Sequence, residues 1–315
     1  MTDILFIKTS SLGDVVHHMP ALTEARAALP GARFAWLVEE AFVPLVRLHP
    51  GVDEVIAVAW RRWRSSPVAP STLREIGHAF RAIRARRYDS VIDTQGLLRS
   101  GLMAGIARGT RHGYDATSVR ERLALPFYDV RHRVDGGLHA VERNRLLTGL
   151  ALGYAPQGAP DFGLDRAHLR TAGPNYAVLL HATARPEKEW PVANWIALGR
   201  SMAAHGVAIV LPWGNERERA RAEKIAAAVP NARVPDRLPL DQVAQLIAGA
   251  RCVVGVDTGL LHLAAALSVP LAAIFAGSKP HLTGPVGNGP LAVLGAQGAP
   301  PSVDEVKEAL QRIGG

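Results

Sequence analysis

The sequence predicts an α/β protein built from two doubly wound domains, and three observations carry that reading. Short apolar runs of strand length alternate with helical segments through nearly all of the 315 residues. Such alternation belongs to parallel sheets covered by helices on both faces. One stretch, 153–175, breaks the alternation with Gly-Tyr-Ala-Pro-Gln-Gly-Ala-Pro and then Ala-Gly-Pro-Asn, the composition of a domain boundary. Each half also repeats one device: an apolar strand, a turn of small polar residues with an aspartate, then a helix, at Lys8–Asp14 and again at Val256–Leu260. The expected organisation is a first domain over 1–155, a linker over 156–175, a second domain over 176–300 and a closing helix over 301–315. Ser302 and Glu305 in that last helix have capping-box spacing.

In the first half, apolar runs predict strands at 3–8, 34–38, 54–58 and 89–93. Helical spacing there covers 15–28, 40–48, 72–86, 97–107 and 137–151. In the second half, strands are expected at 176–180, 206–211, 231–234, 252–256 and 271–275, with helices over 192–204, 216–228, 240–249 and 259–267. Ligands of doubly wound sheets bind outside the carboxyl ends of the strands. Two such domains are therefore expected to turn those ends toward a shared cleft.

Composition narrows the partners. The net charge is +8 and uneven: residues 1–160 hold 21 Lys/Arg against 15 Asp/Glu, and residues 161–315 hold 15 against 13. The first half is thus suited to an acidic partner. Nucleic acid, anionic lipid and a phosphorylated sugar all qualify, and the arginine-rich composition a GC-rich genome produces accounts for many of the same charges. Cys252 is the only cysteine, so an internal disulfide and a cysteine-based metal site are excluded. The chain opens directly on a strand-like run, Ile-Leu-Phe-Ile, and has no apolar run of bilayer length. The expected setting is a reduced cytoplasm, without a leader.

The run Arg-Cys-Val-Val-Gly-Val-Asp-Thr-Gly-Leu-Leu-His, 251–262, holds the clearest site signal. A strand stops at Asp257, Thr258 can cap the following helix, and Gly259 lets a ligand approach the backbone. The helix start offers N–H groups and a partial positive charge to an anion, most naturally a phosphate. His262 lies one turn on. Capping accounts for Thr258 alone, but not for Asp257, Thr258, Gly259 and His262 together.

In the first half, Lys-Thr-Ser-Ser-Leu-Gly-Asp-Val-Val-His-His at 8–18 is neither a G-x-G-x-x-G fingerprint nor a Walker A loop, which speaks against a nicotinamide oxidoreductase. Ser10, Ser11 and Gly13 put small groups at the strand end. Asp14 stands where the helix begins, either as its N-cap or as a general base toward an acceptor hydroxyl. His17 and His18 are alternatives for the base, or else core or surface histidines. Arg-Arg-Trp-Arg at 61–64 can clamp phosphates or carboxylates through Arg61 and Arg64, and Arg120 can join them. Asp-Thr-Gln-Gly at 93–96 is either ordinary crossover chemistry or a second turn presenting Gln95. The run 81–87 reads as a solvated or membrane-facing basic helix face.

In the second half, Thr183 and Lys188 lie in the turn after strand 176–180 and can meet a diphosphate; a solvated loop lysine is the other reading of Lys188. Glu218 or Glu216 can bind a ribose diol, or simply occupy a helix first turn. Leu238 can lie against a base. Together these are the parts of a nucleotide-diphosphate pocket.

The motifs His-Ala-Thr, Lys-Glu-Trp-Pro, Leu-Pro-Trp-Gly and Val-Asp-Thr-Gly-Leu-Leu-His-Leu-Ala-Ala-Ala-Leu, with Ile-Lys-Thr-Ser-Ser-Leu-Gly-Asp-Val-Val-His at the start, resemble the ADP-heptose:lipopolysaccharide heptosyltransferase family, glycosyltransferase family 9. Arg-Arg-Trp-Arg, Asp-Thr-Gln-Gly-Leu-Leu-Arg-Ser and His-Ala-Val-Glu-Arg-Asn-Arg at 139–145 extend the likeness almost end to end. The resemblance implies the GT-B fold, with the first domain binding Kdo2-lipid A and the second ADP-L-glycero-β-D-manno-heptose. It implies inversion at the anomeric centre, no cofactor and no obligatory metal. It further implies a peripheral place on the cytoplasmic face of the inner membrane, no nucleic acid, and a monomer. By motif position, Asp14 matches the family's base. Thr183, Lys188 and the backbone of Thr258, Gly259 and Leu260 match its diphosphate contacts, and Asp257 matches a carboxylate facing the heptose. Glu218 matches the ribose ligand, Leu238 the adenine contact and His262 the motif histidine. Arg61, Arg64 and Arg120 match acceptor positions. Ala184 departs from the pattern, since relatives often carry a second hydroxyl there. A non-catalytic nucleotide-sugar binder is the rival class.

Overall fold

The structure, a computed structural model, describes residues 2–170, 175–183, 185–277 and 280–314. It divides into two compact units, Met1–Gly163 and Leu164–Gly315, a division that falls inside the 156–175 stretch.

The first unit runs β1 (Asp3–Ile7), α1 (Leu12–Ala28), β2 (Arg33–Glu39), α2 (Val43–Val46), β3 (Glu54–Val58), α3 (Trp60–Trp63), α4 (Pro70–Arg84), β4 (Arg87–Asp93), α5 (Leu98–Ile106), β5 (Arg108–Tyr114), β6 (Val130–His132) and α6 (Ala140–Leu152). Its strands form one parallel sheet in the order β3-β2-β1-β4-β5-β6. Strands β5 and β6 escape a sequence reading for a physical reason. Arg-Gly-Thr-Arg-His-Gly-Tyr and Val-Arg-His carry few apolar side chains, because β6 is the sheet edge and β5 its neighbour. The inner strands read clearly because both faces are buried: Ile4, Leu5, Phe6 and Ile7 of β1 have no exposed surface.

The second unit runs α7 (Arg166–Leu169), β7 (Tyr176–Leu180), α8 (Val192–Ala204), β8 (Ala208–Val210), α9 (Glu216–Ala226), β9 (Ala232–Arg233), α10 (Leu240–Gly249), β10 (Cys252–Val256), α11 (Gly259–Ala266), β11 (Leu271–Ile274), α12 (Pro280–Thr283), β12 (Leu291–Leu294) and α13 (Val303–Arg312). The sheet is again parallel, in the order β12-β11-β10-β7-β8-β9. Counted from its own first strand this is the same order as in the first unit. Strand β12, the edge, is a further strand beyond the sequence expectation. Its core joins Leu179, Trp190, Trp195, Leu198, Ile209, Val254 and Ile274, all without exposed surface. Burying each such aliphatic side chain is worth roughly 1.5–3 kcal/mol. The Trp190 and Trp195 rings meet edge to face at 5.1 Å.

In both units the strand order reverses beside the first strand, at β1/β4 and at β7/β10. Crossovers depart to opposite faces there, and the loops part to leave a crevice at the strand carboxyl ends. That single topological fact places the loops discussed next.

Candidate active site

In the first unit the loops after β1 and β4 meet at the reversal. Gln95 Oε1 accepts from the N–H groups of Thr9 and Ser10, both at 3.2 Å, and Arg99 donates to Ser10 Oγ at 2.6 Å. Gln95 is almost wholly buried, and its carbonyl oxygen braces the Thr9–Ser10 loop from within. Its own loop is set by Asp93, whose Oδ1 accepts from Gln95 N (2.8 Å) and Gly96 N (3.1 Å) and whose Oδ2 accepts from Tyr128 Oη at 2.6 Å. Burial raises the Asp93 pKa. Gly96 sits at φ +67°, in the left-handed region, and its carbonyl accepts from Glu121 N at 3.0 Å. The tight turn brings the Arg120 stretch against β4.

Asp14 is not the N-cap expected for α1. Ser11 holds that position, and Asp14 stands one turn in, because the reciprocal cap needs three residues of spacing. Ser11 N and Oγ donate to Asp14 Oδ2 at 2.8 and 3.1 Å. Capping therefore engages one carboxylate oxygen, and the other, Oδ1, lies 3.6 Å from Arg120 Nη1. A capping carboxylate and a carboxylate able to accept a proton are thus compatible in one side chain. Gly13, at the second position of α1, is buried. Its neighbour His18 is a core histidine, wedged between the Phe6 and Trp36 rings at 4.8 Å each, and burial holds its pKa well below the usual range. His17 is buried against His139, their rings 5.3 Å apart. Both histidines are thus packed within the unit.

Arg120 is brought to Asp14, but Arg61 and Arg64 are not joined to it by any hydrogen bond or ion pair among the described residues. They lie at α3, where the Arg61 guanidinium stands 5.4 Å over the Phe42 ring and Arg64 is exposed. Between them Arg62 is tied to Glu40 and Glu75, each at 2.9 Å.

In the second unit Asp257 is the hub. Lys188 Nζ donates to its Oδ2 at 2.6 Å, Thr183 Oγ1 to its carbonyl at 3.0 Å, and His262 Nε2 lies 4.0 Å from its Oδ1. Lys188 and Asp257 are both mostly buried, so the solvated-loop reading of Lys188 fails. Gly277 makes room for this lysine: a side chain there would meet Glu187 O at 2.9 Å and Lys188 Cγ at 3.1 Å. Thr258 occupies the N-cap position of α11 without a side-chain cap bond. Its hydroxyl does not occupy the helix start, where the first N–H groups, including those of Gly259 and Leu260, lack partners within the helix. Glu218 is engaged locally, accepting from Gly214 N and Asn215 Nδ2 at 2.8 Å each, so a ribose would share a carboxylate that also fastens α9. Glu216 is largely exposed and 3.8 Å from Arg219. Leu238, half-buried, follows β9. Ala184 lies outside the described residues.

The sequence reading missed the residues that hold this loop. Arg217 donates to Thr183 O at 2.6 Å and to Glu189 Oε1 at 2.8 Å. Arg221 donates to His181 O at 3.1 Å and to Trp190 O at 2.5 Å. The available signal was their spacing, four residues apart on one face of a charged helix. Trp190 Nε1, donating to Pro301 O at 2.8 Å, anchors the far end of the same loop.

All these strands are parallel, so their carboxyl ends share one edge. Along it the candidate residues follow strand order: Asp257–Leu260 after β10, Thr183 and Lys188 after β7, Glu218 after β8, Leu238 after β9. Three inter-strand spacings make a row of roughly 14 Å, ending in a polar cluster on one side and a leucine on the other. An elongated ligand with an anionic end and an apolar end fits such a row.

The sequence model described as Glycosyltransferase family 9 (heptosyltransferase) matches residues 76–311. Lipopolysaccharide heptosyltransferase 1 of Salmonella typhimurium is 43% identical over 294 residues, covering 92% of this chain and 93% of that protein. The solved structure of Escherichia coli heptosyltransferase WaaC with ADP superposes with a TM-score of 0.93 at 39% identity, covering 99% of both chains. The same enzyme with ADP-2-deoxy-2-fluoro heptose gives 0.90 at 38%, again over 99% of each. Lipopolysaccharide heptosyltransferase 2 of Escherichia coli is 25% identical over 90% of this chain and 85% of that one. The chain belongs to glycosyltransferase family 9, the heptosyltransferases. It is a glycosyltransferase with the two-domain architecture of the GT-B class.

Proposed function

We propose that this enzyme transfers L-glycero-D-manno-heptose from ADP-heptose to a Kdo hydroxyl of Kdo2-lipid A, inverting the anomeric centre, as the first heptose addition of the lipopolysaccharide inner core. The ordered row along the second sheet edge carries the reading. It suits adenine at Leu238, ribose at Glu218, the diphosphate at Thr183, Lys188 and the α11 start, and the heptose at Asp257 and His262. In the proposed step Asp14 takes the proton of the attacking Kdo hydroxyl, and the electron pair of the breaking anomeric C–O bond leaves with ADP. Lys188 and the N–H groups at the α11 start stabilise the charge growing on that leaving group. On this reading no resident metal or cofactor takes part. Ser10, Ser11, Arg120, Arg61 and Arg64 belong to the acceptor side.

The deciding assay is ADP release from ADP-heptose with Kdo2-lipid A beside an already heptosylated acceptor. Preference for Kdo2-lipid A is expected. Preference for the heptosylated acceptor would make the enzyme one for the second heptose, and absence of release with both would leave a non-catalytic binder.

A monomer bound peripherally to the cytoplasmic face of the inner membrane completes the proposal. No described helix is long and apolar enough to cross a membrane. Helix α4 supports surface binding instead. Leu73 and Phe80 are exposed on it, seven residues apart, with exposed Arg74, Arg81 and Arg84 beside them. Exposed apolar side chains flanked by guanidiniums suit an anionic lipid surface. Partition onto anionic vesicles that is indifferent to salt would count against it.

A further inference from the structure

Arg143 belongs to the His-Ala-Val-Glu-Arg-Asn-Arg run at 139–145, and no role falls to it above. It is the fourth residue of α6 and is half-buried. Its guanidinium stands 4.8 Å over the ring of Tyr114, the buried last residue of β5. Its Nη2 donates to the Ser118 carbonyl at 2.5 Å. Its Nε is buried and has no hydrogen-bond partner among the described residues.

This is a costly place for a cation. The amino end of a helix carries partial positive charge and disfavours another, and a buried N–H without a partner loses its hydration. An apolar side chain would cover the Tyr114 ring without either cost. What the guanidinium adds is its attraction to the ring face and its bond to Ser118.

That bond fastens the middle of the loop 115–121, which carries Arg120. At the start of the loop Asp115 N donates to the His132 carbonyl of β6 at 2.9 Å, and Asp115 Oδ1 accepts from Ser118 Oγ at 2.6 Å. At its end Glu121 N donates to Gly96 O, and Glu121 Oε2 accepts from Leu98 N at 2.7 Å. Arg143 therefore holds the chain two residues before Arg120, and the Gly96 turn holds the residue after it. The half-exposed Arg120 guanidinium projects from between these two points to 3.6 Å from Asp14.

We propose that Arg143 is a positioning residue for acceptor binding: by clamping Ser118 against Tyr114 it holds the Arg120 guanidinium where an anionic acceptor is met. Arg143 acts through Arg120 and makes no contact with the acceptor itself. The proposal rests on the reading of Arg120 as an acceptor residue.

The test is a double-mutant cycle on the KM for detergent-dispersed Kdo2-lipid A, with Arg143→Met, Arg120→Ala and the double variant. Each single change raises the acceptor KM about 10-fold and leaves the KM for ADP-heptose within about twofold. The double variant stays within about twofold of Arg120→Ala, because two residues acting through one contact are not additive. An unchanged acceptor KM in Arg143→Met, a donor KM that rises with it, or effects that multiply in the double variant overturns the proposal. A merely structural role would disturb donor and acceptor alike and would add to the loss of Arg120. Should thermal unfolding show that Arg143→Met does not fold, Arg143→Lys decides on the same criteria, since it keeps a cation over the ring but not the planar fork. An unchanged acceptor KM in Arg120→Ala instead refutes the acceptor reading of Arg120. A raised KM in Arg120→Ala with multiplying effects in the double variant refutes this inference alone.

Discussion

The two units share one strand order and use it differently. At the first reversal point the loops are stiffened from inside, by buried Gln95, Asp93 and Lys8, and Asp14 with Arg120 reaches outward. At the second, the loop after β7 is stiffened from outside, by Arg217 and Arg221 on α9, and the strand ends carry a helix start and one mostly buried ion pair, Lys188 with Asp257. The fold thus specifies where ligands go, while the loop chemistry specifies what each site does. A row of donors along an edge suits holding a long anion.

The sharpest way to break this contrast is to disable one unit and watch the function of the other. Asp14→Asn removes the proposed base and should lower kcat by about 10²–10⁴-fold, while ADP affinity, read by calorimetry, stays within twofold. A large loss of ADP affinity would show that the units do not divide the work this way. Lys188→Ala should lower kcat about 100-fold and weaken ADP as well, since it removes the leaving-group cation and leaves Asp257 with its partner gone. Unchanged ADP affinity in that variant would move the diphosphate elsewhere.

Stability offers a second contrast. The side chain of His49 in the first unit accepts from Gly51 N at 3.0 Å, and burial lowers its pKa to about 4. His181 in the second unit is likewise lowered to about 4 by burial, and His18 adds a further depressed histidine to the first. A depressed folded-state pKa gives stability that is complete above about 6.5, the unfolded value. It is lost as pH falls toward 4, where the unfolded chain binds protons and the fold does not. Each histidine lowers stability by at most on the order of 3 kcal/mol over that window. The first unit should therefore lose amide-exchange protection sooner than the second between pH 6.5 and 4.5; equal losses would show that the buried histidines do not set acid stability.

The smallest expected effect lies on α4. Leu73→Glu with Phe80→Glu should weaken sedimentation with anionic vesicles by about 3- to 10-fold and leave turnover of detergent-dispersed acceptor unchanged. Vesicle binding equal to wild type would place the membrane contact elsewhere in the first unit.

Much of this was legible in the chain. Inner strands such as Ile-Leu-Phe-Ile and Cys-Val-Val-Gly-Val announce themselves, because a parallel strand buried on both faces must be continuously apolar. Strands β5, β6 and β12 do not, since sheet geometry and partners, more than composition, decide them. The site divides along the same line. Asp257, Thr258 and Lys188 stood out because turn residues, a helix start and a charge occurred in one motif or beside one strand. Gln95, read as crossover chemistry or as a ligand group, braces the neighbouring turn through its carbonyl oxygen, and Asp14, read as N-cap or base, is the third residue of the helix.

By itself, then, the sequence determined the alternation of strands and helices, a boundary within 153–175, the family motifs and the residue types available at each strand end. Tertiary structure alone decided which of those residues meet. Lys8 joins Asn144 across 136 positions, and Lys188 joins Asp257 across 69. Such contacts follow from sheet order, which reverses at β1/β4 and β7/β10 and brings distant loops to one edge. Local preferences along the chain reach only a few residues, so no motif encodes those pairs.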